Sequence, residues 1–238
     1  MKTVRFLSAF STAALFALTL LSCRKENAGP YQEGTQAFDL TDFDELEMGS
    51  AFQIRVQQGS IFTVVAQGDR RNLDDLDVRV VNGRLKAKYR NQRNRRYETV
   101  FILTMPTLKA ADFSGASRST VSGFTGQDLL SLTLSGASSS EVSAQAGRVE
   151  VTLSGASEMR IGGKTSTLVA DLSGASRLNA FNTPAEEVMV DASGASHAEV
   201  SVSNRLKVVA SGASLVRYRG NSVVLDVNAS GASSVKKD

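Results

Sequence analysis

The chain has 238 residues, enough to bury a substantial core, and its 42% hydrophobic and 21% charged residues are ordinary for a folded, soluble body. A mean hydropathy of -0.11 excludes a polytopic membrane protein. One His, one Cys and no Trp remove the usual material for a metal site, a Cys–His nucleophile pair or a disulfide framework. The net charge of +3 includes Lys2 and Arg5, which lie in a segment that we expect to be removed. The composition therefore predicts no metal, no cofactor and no nucleic-acid partner.

Residues 1–22 have the pattern of a lipoprotein signal peptide. Two positive charges precede an uncharged run, 6–21, which is too short for a comfortable membrane span but suits a signal-peptide core. The run ends in Leu-Leu-Ser-Cys, which resembles the lipobox of bacterial lipoproteins. We therefore expect cleavage before Cys23 and a lipid on its thiol. The alternative is an ordinary secretory signal whose Cys falls near the cleavage site by chance.

Residues 23–36 are polar, contain Gly29-Pro30 and lack periodicity, so we interpret them as a flexible tether. Arg24 directly after the Cys is similar to the pattern of lipoproteins that are sent to the outer membrane. The expected location is therefore the cell envelope, with a lipid anchor in the outer membrane as the membrane partner.

A repeat determines the predicted fold of residues 110–238. The tetrapeptide Ser-Gly-Ala-Ser occurs seven times at intervals of 18 to 21 residues, and apolar residues alternate before each copy and again after it. This period-2 alternation predicts two short strands with one buried face in each repeat. Units of about 19 residues cannot enclose a core alone, so we predict an all-β chain that stacks them into a parallel β-solenoid, right-handed by the usual preference.

The corner of each predicted coil is the tetrapeptide itself. Gly supplies a backbone conformation that a Cβ would oppose, Ala is small enough to point into a narrow core, and the Ser hydroxyls can pair with backbone groups. The alternative is functional: two columns of Ser hydroxyls could form a ladder that binds a glycan. The predicted corner glycines are Gly115, Gly136, Gly155, Gly174, Gly194, Gly212 and Gly231.

The region 37–109 lacks the tetrapeptide but keeps the β pattern. Alternating apolar residues predict several strands, and Asn82-Gly83 between two of them is a strong hairpin signal. Another apolar strand runs from Glu98 to Met105, with Pro106 at its exit. We expect these strands to extend or cap the same stack.

The order of these features resembles a known family. An acidic and aromatic entry at 38–47, the strand at 52–57, the Asn-Gly hairpin, the strand at 100–106 and the Ser-Gly-Ala-Ser coils look like the auto-transporter adhesin, head GIN domain family, over residues 36–234. The resemblance implies a lipid-anchored or secreted β-helical domain. Family members often carry Ser-Gly-Ser-Gly-Asp at the corner, and the family has no established catalytic set to transfer.

Two acidic residues are the candidate catalytic pair. Asp171 and Asp191 each stand two residues before a tetrapeptide, so a solenoid would stack them about 4.8 Å apart, near the separation of retaining glycosidase carboxylates. The more economical interpretation is a solvated ladder of Thr, Asp and Asn residues. His197, just past a corner, has no identifiable partner in the sequence. We therefore expect no catalytic residues, and a polysaccharide lyase or hydrolase is the alternative.

One concentration of basic residues is the candidate binding surface. Its first half alternates with apolar residues, which is typical of the exposed face of an edge strand. Its second half continues into a loop, which favours contact with acidic polysaccharide or lipopolysaccharide phosphate. We expect charge reversal at three of its arginines, 93, 95 and 96, to weaken binding without changing thermal stability. The full set is Arg84, Lys86, Lys88, Arg90, Arg93, Arg95 and Arg96.

The sequence thus predicts a cell-envelope lipoprotein whose solenoid surface serves adhesion or the binding of a glycan or other envelope ligand. A carbohydrate-active enzyme and a structural envelope component are the two alternatives.

Overall fold

The computed structural model describes residues 29–222 and 224–238, so the predicted signal peptide and the part of the predicted tether from Cys23 to residue 28 lie outside the described residues. The described part is mostly β-strand with almost no helix, and its sixteen strands form one continuous sheet. The elements of the N-terminal region are β1 (Glu33–Phe38), β2 (Glu45–Met48), β3 (Gln53–Gln58), β4 (Thr63–Asp69), α1 (Arg70–Leu73), β5 (Leu76–Val81), β6 (Arg84–Tyr89), β7 (Thr99–Met105) and β8 (Ala110–Phe113). The later strands are β9 (Arg118–Leu134), β10 (Ser139–Leu153), β11 (Glu158–Leu172), β12 (Arg177–Ala192), β13 (His197–Ala210), β14 (Leu215–Arg219), β15 (Val224–Ala229) and β16 (Ser234–Lys237).

The repeats form the predicted parallel β-solenoid. Each long strand from β9 to β13 pairs in parallel with the next one, and the register places Val142 beside Ile161 and Val151 beside Ala170. The apolar positions of successive repeats therefore stack into continuous buried columns. These alternating apolar residues are buried on one face of each strand, as the sequence predicts. The prediction of an all-β solenoid is confirmed.

The coils differ in length, and the extra residues lie at a bend midway along the long strands. Register shifts occur midway along the long strands, for example between Arg160 and Gly162 and between Ala180 and Pro184. The tetrapeptide corners stay aligned, because from the second corner onward the Ala N–H donates to the Gly carbonyl of the preceding corner. The hydrogen bond from Ala175 to Gly155, for example, is 2.8 Å long. The variable bend and the invariant corner are therefore separate parts of every coil.

The corners correct one detail of the sequence interpretation. Ala116 and its equivalents are exposed, whereas the second Ser of the tetrapeptide, such as Ser117, is buried. The left-handed Gly, at φ +79 for Gly115, places Gly and Ala on the outside of the turn, so the next residue resumes the inward position. One of the two Ser columns is thus internal and cannot present hydroxyls to a ligand.

The N-terminal region continues the solenoid and then caps it. Strand β2 pairs in parallel with β6 and β8, and β3 pairs in parallel with β7 and β9, so the strand stacking of the coils extends into this region along two separate rows of strands. Antiparallel partners then end each row: β5 joins β6 through the Asn82-Gly83 turn, and β1 and β4 lie beyond β7. Strand β1 begins at Glu33, inside the range predicted as tether, because its backbone pairs with β4. The ordered body therefore starts earlier than the sequence indicates.

Candidate ligand-binding surface at the N-terminal end

The first half of the basic run lies on β6, and the structure corrects the edge-strand interpretation. Strand β6 pairs with β5 on one side and β2 on the other, so it is internal to its sheet. Arg84 forms an ion pair of 2.6 Å with Glu45, and Lys86 forms one of 2.7 Å with Glu47. The hydrogen bond from Lys86 holds the pKa of the Glu47 carboxyl below its ordinary value. These two cations are therefore neutralised within the sheet.

The second half of the run forms a loop between β6 and β7, which we call the basic loop (residues 90–98). Its Arg95 is almost fully buried, pairs with the buried carboxylate of Asp75, and lies 3.4 Å above the ring of Tyr89. Burial acts to raise the pKa of Asp75, but hydrogen bonds from Arg95 and Asn91 outweigh it, so the pKa is lowered. Arg95 therefore holds the loop to the body, and its charge is already paired with that of Asp75.

Four cations of the run remain exposed. Lys88 has no ion pair within the described residues. Arg93 donates to the carbonyl of Arg71 at 2.9 Å and lies 4.0 Å from Asp75. The other two exposed cations, whose contacts leave their charges facing solvent, are Arg90 and Arg96.

An open pocket of about 750 Å³ lies between the basic loop and the turn after β2. Lys88 and Arg93 line it together with amide side chains of the loop. On the opposite side are Ser50 and Ala51, both in the left-handed backbone region at φ +64 and +58. Two cations beside several hydrogen-bond donors suit a polar, negatively charged ligand.

A pair of tyrosines lies at the end of the same loop. Tyr31 is 49% exposed and packs edge-on against Tyr97, with ring centroids 5.1 Å apart. The guanidinium of Arg96 lies 5.4 Å from the centroid of the Tyr97 ring. Sequence reasoning missed this cluster because Tyr31 falls in the predicted tether. Its aromatic side chain within a polar segment was the available signal.

The candidate catalytic groups have simpler roles in the structure. Asp171 and Asp191 are in register on neighbouring strands and exposed, and the flanking positions of their column are Thr152 and Val209. The column therefore brings no further acid or cation beside the pair.

The surroundings of His197 are equally ordinary. Its Nε2 lies 3.4 Å from Glu199, a carboxylate that also accepts hydrogen bonds from Asn179 and Arg217.

Within residues 29–222 and 224–238, no group of three or more His, Cys, Asp or Glu side chains is placed to hold a metal ion. In that same part, no helix is long and apolar enough to cross a membrane.

The comparison with sequence families identifies the chain. Residues 42–222 match the family described as "Putative auto-transporter adhesin, head GIN domain". The chain belongs to this family. No protein with a curated description matches the sequence. The resemblance that the Asn-Gly hairpin and the Ser-Gly-Ala-Ser coils indicate is thereby confirmed.

Solved structures share the fold of this head GIN domain protein at low sequence identity. A putative adhesin from Bacteroides fragilis has a TM-score of 0.75 at 15% identity, covering 87% of this chain and 97% of its own. A putative adhesin from Parabacteroides distasonis has a TM-score of 0.70 at 17% identity, covering 88% and 98%. A further Parabacteroides distasonis structure, described as a putative lipid binding protein, has a TM-score of 0.66 at 14% identity, covering 87% and 96%.

Proposed function

We propose that this head GIN domain protein is an exported lipoprotein, anchored through Cys23 in the outer membrane, that presents a rigid solenoid for adhesion and carries out no catalysis. Membership of a family described as adhesins supports a surface role, and the lipobox pattern of the sequence supports the anchor. The ligand that we propose is an acidic component of the cell envelope, either a polysaccharide or a lipopolysaccharide phosphate.

One observation carries the choice of ligand. The ion pairs within the described residues neutralise Arg84, Lys86 and Arg95, but Lys88 and Arg96 keep exposed charges at the N-terminal end. Lys88 lines the open pocket, and Arg96 lies beside Tyr97, which packs against the exposed Tyr31. The cations and polar donors attract an anion, and the neighbouring aromatic ring offers a flat surface on which a sugar ring can pack.

The proposal that binding occurs without chemistry is supported by the state of the acidic groups. The carboxylate nearest to His197 is shared among several donors, and the stacked Asp171 and Asp191 lie on an open strand face with Thr and Val neighbours. A hydrolase of polysaccharides needs an acid and a second carboxylate facing one bound sugar.

The test uses the mature, lipidated chain in mild detergent with immobilised acidic polysaccharide and lipopolysaccharide. The double variant Lys88→Gln, Arg96→Gln should weaken binding by roughly tenfold or more, since each exposed charge contributes about 1 kcal/mol at low salt. Lys164→Gln with Lys207→Gln removes the same charge from exposed positions on the coils and should leave binding unchanged. Equal affinity of the two double variants for every acidic ligand would contradict the proposal.

A further inference from the structure

We infer that the basic loop faces the membrane that holds the protein and binds the phosphates of the negatively charged lipid headgroups. The N-terminal cap, formed by β1, β4, α1, β5 and the basic loop, would then lie against the membrane, with the solenoid projecting away from it. This inference rests on the proposed lipid anchor at Cys23. It names the source of the acidic ligand and assigns an orientation to the molecule.

The start of the described chain is fixed to the cap, directly beside the basic loop. The hydroxyl of Tyr97 donates to the carbonyl of Gly29 at 3.0 Å, and Arg71 donates to the carbonyl of Pro30 at 3.0 Å. Two residues later, the N–H of Gln32 donates to Asp69 at 3.0 Å. The chain therefore enters the fold beside the end of the basic loop, and these three hydrogen bonds fix the position at which it enters.

The distance from the lipid to this entry is short. Gly29 follows Cys23 by six residues, and a chain of six residues spans at most about 21 Å when fully extended. The six coil intervals between the first and last corners extend about 29 Å from the cap at the usual strand spacing. A lipid on Cys23 thus keeps the cap near the membrane, whereas the last coils can approach it only if the whole molecule lies on its side.

The distribution of charge favours the orientation in which the cap faces the membrane over the one in which the coils lie on it. Along the coils, exposed cations are balanced by acids. Arg148 pairs with Glu150 and Arg160 with Glu158, and Lys164 and Lys207, unpaired within the described residues, share the coil surface with the exposed carboxylates of Asp171 and Asp191. At the cap, Arg93 and Arg96 keep exposed charges, and Arg70 on α1 is also exposed. A negatively charged surface therefore attracts the cap more strongly than it attracts the sides of the coils.

The aromatic group at the cap suits the same environment. Tyr31 is half exposed between the entry of the chain and Tyr97, and tyrosine rings favour the headgroup level of a bilayer, where one end is apolar and the other is wet. Arg24 and Lys25, which lie outside the described residues, follow the proposed lipidated residue directly in the sequence. The acyl chains supply retention, so the contribution of these cations is to set the orientation.

The experiment uses the full lipidated chain in vesicles and exploits its single Cys. Because the lipid occupies the thiol of Cys23, a new cysteine is the only site for a fluorescent label. We would introduce Asn94→Cys in the basic loop, Ser166→Cys on the side of the coils and Asn228→Cys near the far end. Contact quenchers attached to lipid headgroups then report which label touches the membrane, and vesicle flotation reports anchoring independently.

We expect headgroup quenching of the label at position 94 in vesicles that contain phosphatidylglycerol, and little quenching at positions 166 and 228. Added Arg93→Gln and Arg96→Gln should lower the equilibrium constant for docking of the loop by roughly 25-fold, since each cation near the surface contributes about fivefold. The pair Lys164→Gln, Lys207→Gln should not change it. High salt should weaken the quenching at position 94 while flotation persists.

Three results would overturn the inference and leave the anchor intact: flotation with equal quenching at positions 94 and 166, flotation with quenching that is the same in neutral vesicles, or flotation in which only soluble acidic polysaccharide affects the label at position 94. The last result assigns the loop to a polysaccharide and supports the proposed function alone. Failure of the protein to float contradicts the lipid anchor, and the inference fails with it.

Discussion

Gly155 lies so close to Gly136 of the preceding coil that a Cβ on Gly155 would stand 2.6 Å from the Gly136 carbonyl oxygen. The same relationship recurs at 2.6 Å for each of the next three corners, and every corner glycine has a positive φ. The contact exists because the Gly carbonyl accepts the hydrogen bond from the corner of the next coil. Two separate constraints, a left-handed backbone and a close approach, therefore select Gly at this position.

The first prediction separates these two constraints. Gly155→Ala should lower the free energy of unfolding by about 1–2 kcal/mol through its φ of +72, and further through the contact with Gly136. A loss of 2 kcal/mol would lower the Tm by roughly 4–8 °C, and Gly155→Val should cost more. Gly126 has the same φ of +72 but open space around its Cβ position, so Gly126→Ala is the matched control. Equal Tm values for the two Ala variants would show that the close approach has no energetic effect.

The second prediction concerns the internal Ser column. Within the described residues, the buried hydroxyls of Ser157, Ser176 and Ser196 have no hydrogen-bond partner, whereas Ser138 donates to the Ser135 carbonyl at 2.7 Å. Ser176→Ala should leave stability unchanged or raise it by about 1 kcal/mol, because it removes an unsatisfied polar group. Ser138→Ala at the equivalent position should lower it by about 1 kcal/mol. Denaturant unfolding measures both, and an equal loss in the two variants would contradict the assignment.

The third prediction is a pH dependence at the cap. Hydrogen bonds, first from the Arg71 side chain and then from the Gln32 and Arg71 backbone, lower the pKa of Asp69 from 3.8 to about 2. Because the pKa in the folded state is the lower one, the stabilisation is complete above about pH 4 and is lost as the pH falls towards 2, amounting to about 2 kcal/mol. Asp69→Asn should therefore be less stable than the wild type at pH 6, with the gap narrowing at pH 2.5. A gap that stays constant across this range would contradict the lowered pKa.

The fourth prediction corrects the expectation that charge reversal at Arg93, Arg95 and Arg96 leaves stability unaltered. Arg95→Gln would leave the carboxylate of Asp75 buried without its close ion-pair partner, which should cost about 3 kcal/mol or more. Arg96→Gln should change stability by no more than about 0.5 kcal/mol, since Arg96 is exposed. Thermal unfolding of the two single variants makes the comparison. Similar Tm values would mean that the Arg95 pair does not hold the loop.

The fifth prediction tests the anchor. Cys23→Ala should abolish lipidation, so the protein should be recovered from the aqueous phase or with its signal peptide still attached. Detergent phase partition and the mass of the N-terminal peptide measure the two results. Ser22→Gly keeps a small residue before the Cys and should still be processed. Unchanged membrane partition of a Cys23→Ala variant that has lost its signal peptide would refute the anchor.

The repeat made the solenoid predictable, because each coil buries its own alternating residues against equivalents one coil away. The columns through Val142 and Val151 follow from period 2 and a repeat of about 19 residues. The exposure of the corner Ala was not predictable in this way, because a left-handed residue interrupts the alternation on which the inference rests. The backbone conformation of Gly, not the size of the Ala side chain, determines which residue points inward.

The candidate surface was predictable only in outline. A run of basic residues is visible in the sequence, but its neutralisation depends on partners far away in the chain, such as Glu45 for Arg84 and Asp75 for Arg95. These pairs form because β2 lies beside β6 and the basic loop folds back on the segment after α1. Sequence spacing carries no information on such contacts, so it could not separate the exposed Arg96 from the buried Arg95.

The separation of an invariant corner from a variable bend makes the molecule tolerant of insertions at one edge only. Extra residues between Ala180 and Pro184 already shift the register without disturbing the corner at Gly194. Foreign peptides should therefore be accepted at this bend in any coil, whereas one added residue in a tetrapeptide would break the hydrogen bonds on both sides of it. Duplication of an entire coil should also be accepted, so the height of the molecule can change while its cross-section stays the same.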